Sequence, residues 1–172
     1  ANTNPRYTGM GTTLVLAVFR PEGLLLGHVG DSRAYRLRAG QFVQITRDHS
    51  LLQEQIDAGL LTAEEAAFSN NKNLVTRAVG VEDAVVLELH LHEVQPGDIY
   101  LMCSDGLSDM LSDARLAQIL QGNTLLPEMA QSLIAAANDM GGRDNIALIL
   151  VRINSQGRVE SRGWWPFGRR NR

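Results

Sequence analysis

The chain has 172 residues, of which 44% are hydrophobic and 20% charged, and its formal net charge is −3. This composition is typical of a single globular domain. Five Arg and one Glu give residues 157–172 a charge of +4, which leaves −7 on the remainder. An acidic body argues against a nucleic-acid-binding protein, whose contact face is basic, and it suits a site that collects divalent cations.

The first half of the chain predicts strands followed by short helices. Apolar and β-branched runs separated by Gly- and Pro-containing turns predict strands at 12–19, 24–29, 34–37 and 41–45. Ser50 is the predicted N-cap of a helix that ends at Gly59, and Thr62 with Glu65 forms a capping box for a short helix at 63–67. The polar stretch 69–73 is predicted to be a loop.

The second half alternates strands and helices. Strands are predicted at 85–91, 99–103 and 146–153, and helices at 107–111, 113–121 and 127–140. The last two helices are predicted to bury Leu116, Ile119 and Leu120, and Met129, Leu133, Ile134 and Ala137. We therefore expect an α+β fold, an antiparallel β-sandwich flanked by helices, over residues 1–154.

Residues 155–172 form a predicted basic tail that contains Trp164, Trp165 and Phe167. Two interpretations stay open: a linker or a segment packed on its own domain, or a contact with an anionic membrane surface or another domain. No apolar run approaches the roughly 18 residues of a membrane span, and no signal peptide is recognised. We expect a cytoplasmic protein without a transmembrane segment.

Cys103 is the only cysteine, which excludes an internal disulfide. It is interpreted either as a small buried apolar side chain or as a reactive thiol next to a functional site. His49 is interpreted as a proton donor or ligand, or as a turn residue that hydrogen-bonds its neighbours. His90 and His92 lie on the same side of a predicted strand and are interpreted as a surface pair.

Three acidic turns lie next to predicted strands. Asp105 follows the strand at 99–103 and precedes Gly106, Asp31 follows the strand at 24–29, and Asp144 precedes the strand at 146–153. Asp105 taken alone is explained as the cap of a following helical turn. Three such turns could instead converge on one hard cation, because carboxylates leaving dry strands need a partner.

Six segments together resemble the metal-dependent protein serine/threonine phosphatases of the PPM (PP2C) family, bacterial branch. In chain order they read Gly-Met-Gly-Thr-Thr at 9–13, Gly-Asp-Ser-Arg-Ala at 30–34, Asp-His-Ser at 48–50, Thr-Arg-Ala-Val-Gly at 76–80, Ser-Asp-Gly at 104–106 and Gly-Arg-Asp-Asn at 142–145. The resemblance implies a four-layer sandwich with outer helices and a flap at about 48–75 that helps to choose substrates.

The resemblance also implies an activity and a set of site residues. The activity is hydrolysis of phosphoserine and phosphothreonine in proteins, the targets of a serine/threonine kinase, by direct attack of a metal-activated water at a binuclear Mg²⁺ or Mn²⁺ centre. Asp105 and Asp144 match catalytic ligands of one core metal, and Asp31 with Asp105 matches a third, weaker metal site. Arg33, Gly106 and Asn145 would support these ligands; no feature specifies an oligomeric state.

The match is incomplete at the beginning of the chain. The family's Arg-x-x-Asn-Glu-Asp and Asp-Gly-Met-Gly-Gly segments have no counterpart, and Thr8 stands where the second segment would have its Asp. The chain starts at Ala1, which suggests an internal start, with the opening strands of the sandwich missing. We therefore expect the 172-residue polypeptide to be weakly active or inactive. The alternative is a non-catalytic phosphatase-like module that binds a phosphoprotein.

Overall fold

The computed structural model describes residues 5–62, 65–66, 74–81 and 84–154. Over these ranges it contains seven strands: β1 (Leu14–Arg20), β2 (Gly23–Val29), β3 (Arg33–Arg38), β4 (Gln41–Gln44), β5 (Glu88–His92), β6 (Ile99–Cys103) and β7 (Leu148–Arg152). The helices of the same ranges are α1 (Leu51–Asp57), α2 (Asp105–Ser108), α3 (Asp113–Leu120) and α4 (Leu126–Asp139), with a 3₁₀ turn at Pro5–Tyr7. None of these described helices combines the length and apolar character needed to cross a membrane.

The strands form two antiparallel sheets. Sheet A has the order β1-β2-β5, and sheet B has the order β4-β3-β6-β7. Neighbours along the chain pair through tight turns, as in β1–β2 and β3–β4, whereas β6 is inserted between β3 and β7. The prediction of a mixed α+β fold with antiparallel sheets is confirmed.

Two apolar cores hold these layers together. Between the sheets, Leu24 and Leu26 of β2 pack with Ala34 of β3 and Tyr100 of β6. On the other side of sheet B, the buried strand residues pack against α2, α3 and α4 in a larger cluster made of Tyr35, Leu37, Ile99, Leu101, Cys103, Leu107, Leu111, Leu116, Leu120, Met129, Leu133 and Ala137. Burial of this apolar surface is the main stabilising term of the fold.

The outer face of sheet A is apolar and open to solvent. The strand register places Leu16 beside Gly27 and Leu89, and Leu25 beside Leu91. Leu16, Leu89 and Leu91 are 47%, 55% and 66% exposed, although their type is usually buried. In the described residues, therefore, helices cover sheet B while these leucines of sheet A stay uncovered.

Most predicted elements are found within one to three residues of their predicted limits. The N-cap at Ser50, which accepts from the Gln53 amide at 3.2 Å, and the Thr62–Glu65 capping box are confirmed. The prediction that Ile134 is buried is wrong, because it is 38% exposed while Leu133 is fully buried. The helix at 63–67, except for residues 65–66, the loop at 69–73 and the tail at 155–172 lie outside the described residues.

Candidate functional site

The three acidic turns lie at the same end of sheet B. Arg33 pairs with Cys103, so the start of β3 meets the end of β6. Cys103 also pairs with Leu148 of β7. Asp31 precedes β3 by two residues, Asp105 follows β6 by two, and Asp144 precedes β7 by four. The antiparallel register therefore brings the turns of Asp31, Asp105 and Asp144, which are distant in sequence, to one end of the strands of sheet B. This end of the sheet is called the acidic edge.

The turns of Asp105 and Asp144 are joined through Ser104. The Ser104 amide donates to the carbonyl of Ala147 at 3.0 Å, and its hydroxyl accepts from the Ala147 amide at 3.1 Å. The same hydroxyl donates to the carbonyl of Asn145 at 3.2 Å. Gly106 packs so closely that a Cβ there would overlap the Asn145 carbonyl oxygen. Asn145 thus contributes to this contact through its backbone.

Asp31 lies near enough to Asp105 for their charges to interact. Burial raises the pKa of Asp31, and the charge of Asp105 raises it further, with smaller contributions from Asp48 and Asp109. The turn therefore concentrates negative charge in a partly buried place. A cation bound there would remove this repulsion.

The carboxylates of Asp105 and Asp144 each accept a local hydrogen bond. Oδ1 of Asp105 accepts from the Gly106 amide at 2.8 Å, and Oδ1 of Asp144 accepts from the Asn145 amide at 2.6 Å. In the described parts of the chain, Asp31, Asp105 and Asp144 do not form a group whose ligand atoms all lie within 4.8 Å of one another. The turns converge, and the assignment of their carboxylates as metal ligands stays a prediction.

Arg33 binds a carboxylate other than the three predicted ligands. Its guanidinium group donates to both oxygens of Asp48 at 2.6–3.0 Å and to the Tyr35 hydroxyl at 3.3 Å. Gln44 also donates to Asp48, at 2.9 Å. The charge of Asp48 contributes to the raised pKa of Asp31, so Asp48 lies near Asp31. Arg33, which is bound to Asp48, therefore lies next to the acidic edge. The role of Arg33 toward Asp31, Asp105 or Asp144 stays a prediction.

The segment at 74–81 joins two other motifs to this region. Thr12 and Val79 exchange amide–carbonyl hydrogen bonds at 3.0 and 2.8 Å, and Thr76 donates to the carbonyl of His49 at 2.8 Å. The motifs at 9–13, 48–50 and 76–80 are therefore neighbours in space. Hydrogen bonds between backbone groups hold these motifs together, and such bonds cannot be predicted from the pattern of side chains.

A cluster of two buried histidines, His28 and His49, with the partly exposed Glu88 was not predicted. Their ligand atoms lie within 4.8 Å of one another, a spacing compatible with a metal ion. The imidazole rings of His28 and His49 stack with centroids 4.8 Å apart. A histidine in an otherwise apolar strand before Gly30 was the available sequence signal for His28, whereas Glu88 carried none.

Cys103 is interpreted from the structure as a buried apolar side chain. It is 5% exposed, and burial raises the pKa of its thiol to about 12. The thiolate is the reactive form of cysteine. The interpretation of Cys103 as a reactive thiol is therefore disfavoured.

Comparison with known proteins identifies the family. A sequence model described as Protein phosphatase 2C matches residues 2–144. The chain belongs to this family. A serine/threonine phosphatase stp of Listeria innocua is 40% identical over 154 residues, which cover 90% of this chain and 61% of that protein. The serine/threonine protein phosphatase PstP of Mycobacterium tuberculosis is 41% identical over 152 residues, which cover 87% of this chain and 29% of PstP.

Solved structures of the family share the fold. The crystal structure of the M. tuberculosis phosphatase PstP/Ppp matches with a TM-score of 0.85 and 39% identity, over 89% of this chain and 64% of that one. The catalytic domain of PstP in complex with two manganese ions matches with a TM-score of 0.77 and 40% identity, over 87% of this chain and 61% of that one. The described chain therefore has the protein phosphatase 2C fold and spans 61–64% of these two solved chains.

Proposed function

We propose that this protein hydrolyses phosphoserine and phosphothreonine in protein substrates, using a water activated at a binuclear Mg²⁺ or Mn²⁺ centre. The observation that supports this best is the gathering of three aspartate turns at one end of sheet B in a family member. We assign Asp105 and Asp144 as catalytic ligands of a core metal, and Asp31 with Asp105 as ligands of a weaker one.

The acidic edge has the chemistry that a hard divalent cation requires. Its donors are carboxylate oxygens, which Mg²⁺ and Mn²⁺ prefer. Burial and, after it, the charge of Asp105 raise the pKa of Asp31, and a bound cation would favour its charged form. When bound, a pair of such ions supplies a hydroxide-like water and neutralises charge on the phosphoryl group.

The chain's own residues orient the carboxylates. The amides of Gly106 and Asn145 each hold one oxygen of the preceding aspartate, and Ser104 fixes the two turns against each other. Arg33 holds Asp48 beside them. Direct attack by water needs no Ser, Cys or His nucleophile, which agrees with the burial of Cys103.

The remaining assignments extend this proposal. We place the phosphatase domain at 1–154 with a substrate-selecting flap at about 48–75, and a basic aromatic tail at 155–172. The substrates would be phosphorylated proteins of a bacterial cytoplasm. A fourth, helical layer over sheet A would cover Leu16, Leu89 and Leu91, whose exposure supports such a layer.

Titration calorimetry with Mn²⁺ tests the metal assignment. We expect micromolar binding to the 172-residue chain that is lost in Asp105→Asn and retained in Asp139→Asn, a matched change at the exposed end of α4. Equal binding by wild type and Asp105→Asn would refute the assignment of Asp105.

Turnover of p-nitrophenyl phosphate tests the activity. We expect slow or undetectable Mn²⁺-dependent hydrolysis by the 172-residue polypeptide, because the segments that supply the other ligands have no counterpart in its sequence. Robust metal-dependent turnover would overturn the expectation of impairment and support the phosphatase assignment. Hydrolysis that is unchanged in Asp105→Asn would instead count against the site.

A non-catalytic binding module is the second candidate. The observation that favours it is that the three aspartates do not form a close ligand group in the described structure. A phosphoserine peptide that binds equally well with EDTA and with Mn²⁺, without being hydrolysed, would support this alternative.

A further inference from the structure

A hydrogen-bonded chain leads from the exposed imidazole of His90 on β5 to the turn that carries Asp31. It runs from His90 through Glu88 and His49 to the backbone of Gly30. We propose that His49 and Glu88 are positioning residues that fix the conformation of the Gly30–Asp31 turn. The consequence for metal binding rests on the proposed function, whereas the effect on the turn does not.

His49 holds both backbone polar groups of Gly30. The Gly30 amide donates to Nδ1 of His49 at 3.1 Å, and the His49 amide donates to the Gly30 carbonyl at 3.0 Å. Gly30 has a φ of +101°, and a Cβ there would overlap the side chain of Thr13. Glycine adopts a positive φ without strain, but it is also the most flexible residue, so the conformation of the turn has to be fixed by hydrogen bonds and neighbouring side chains. His49 supplies two of the bonds that hold it.

These bonds determine the tautomer of the His49 ring. Since Nδ1 accepts a hydrogen bond from an amide, the proton of the neutral ring lies on Nε2. Nε2 is 2.9 Å from Oε2 of Glu88 and therefore donates to it. Glu88 is ionised: burial opposes its charge, but hydrogen bonds from His49 and His90 lower its pKa to about 2. Glu88 thus fixes the tautomer and the orientation of the His49 ring.

His28 supports the His49 ring from its face. The two rings stack at an interplanar angle of 14°. His28 is fully buried, and its Nε2 lies 2.7 Å from the Arg47 carbonyl, to which it donates. The second ring is therefore fixed as well, and it limits the rotation of His49.

The same hydrogen bonds argue against a metal ion in this cluster. A metal bound at Nε2 of His49 would require loss of the Nε2 proton, while Nδ1 faces an amide N–H and cannot take that proton. The ring would then be a buried, negatively charged imidazolate next to the carboxylate of Glu88, which is costly. The hydrogen bonds therefore favour a positioning role for His49 and Glu88, although the ligand atoms of the cluster are spaced as in a metal site.

Hydrogen exchange measured by NMR on the full 172-residue chain tests the positioning role. In His49→Leu, which removes the acceptor for the Gly30 amide, we expect exchange of that amide to become about tenfold faster or more. His49→Asn offers an oxygen near the position of Nδ1 and should restore slow exchange. His90→Ala also removes a partner of Glu88 but does not touch Gly30, so it should leave the Gly30 amide unchanged.

A second variant keeps the test decisive if His49→Leu does not fold. Glu88→Leu leaves the Nε2 proton of His49 without its acceptor, and we expect the Gly30 amide to exchange about two- to tenfold faster. Unchanged Gly30 exchange in the folded variants, or a failure of His49→Asn to restore protection, would overturn the proposal.

Mn²⁺ titration of the same variants separates this proposal from the proposed function. Loss of an outer residue that orients a metal ligand typically costs about 10–100-fold in metal affinity, and we expect a loss in that range for His49→Leu but not for His90→Ala. A loosened turn with unchanged Mn²⁺ affinity would refute the role of His49 in metal binding. If the wild-type chain binds no Mn²⁺, the proposed function fails, whereas the exchange measurement still decides whether His49 positions the turn.

Discussion

The ion pair between Arg38 and Asp98 gives a stability prediction that is independent of the acidic edge. The Asp98 side chain is fully buried, and Arg38 donates to both of its oxygens at 2.8 and 2.7 Å. The Gln95 amide and the Tyr100 hydroxyl donate to Oδ2 as well, at 2.8 and 3.0 Å. Replacing Asp98 by Asn keeps the shape and removes the charge.

The geometry indicates which contact the Asn variant loses. The side-chain oxygen of the introduced Asn would take the position of Oδ2, where Arg38, the Gln95 amide and the Tyr100 hydroxyl all donate. The amide nitrogen would then face Nε of Arg38, so that two donors would lie opposite each other. Breaking a buried ion pair costs about 3–5 kcal/mol. Because the Arg38 side chain is 20% exposed, water relieves part of this cost, and we expect a loss of about 2–3 kcal/mol in the free energy of unfolding. This loss corresponds to a fall in Tm of about 4–12 °C.

Urea unfolding followed by far-UV circular dichroism measures this loss, with Asp139→Asn as a control for removal of an exposed carboxylate.

The pH dependence of the free energy of unfolding gives a second check. Burial raises the pKa of Asp98, but hydrogen bonds from Arg38, Gln95 and Tyr100 outweigh it and lower the pKa overall. The stabilisation is therefore present above the unfolded-state pKa of about 4 and is lost as the pH falls through the lower folded-state value. A difference from wild type below about 0.5 kcal/mol at pH 7 would refute this reasoning.

Three further predictions concern the turns and the core. Gly106→Ala should cost about 1–3 kcal/mol through overlap with the adjoining turn, whereas Ser108→Ala in the same helix should cost much less; equal losses in urea unfolding would contradict the contact. Leu133→Ala should lower the free energy of unfolding by about 2–5 kcal/mol, and Ile134→Ala should lower it by clearly less. Denaturation of the two variants measures this difference. In EDTA at pH 7, Asp31→Asn should raise the Tm, because the raised pKa of Asp31 means that its charged form destabilises the fold; a lowered Tm in differential scanning calorimetry would exclude this cause.

The strands and helices were predictable because their periodicity is local. The short apolar runs of β2 and β6, bounded by Gly-containing turns, indicate buried strands without knowledge of their partners. The buried face of α4 was harder to predict, because Leu133 and Ile134 are both apolar and adjacent in sequence. The structure shows that the buried stripe contains Met129, Leu133 and Ala137, so only one of the two neighbours faces sheet B.

The candidate site was predictable only in part, because its contacts are long-range. That the turns of Asp31, Asp105 and Asp144 share one edge depends on β6 lying between β3 and β7. Local periodicity does not specify strand order, so the three acidic turns alone left convergence as one of two interpretations, and the family resemblance then supported it. Glu88 lies 39 residues from His49, and their contact has no sequence signature at all.

The burial of Cys103 makes this protein suitable for single-site chemical labelling. Because the chain has one thiol and that thiol is enclosed at the end of β6, alkylation can proceed only when the strand separates from its neighbours. The labelling rate therefore measures how often the segment preceding Asp105 opens, without an introduced probe. A slower rate with added Mn²⁺ would measure directly how strongly ion binding stabilises that strand.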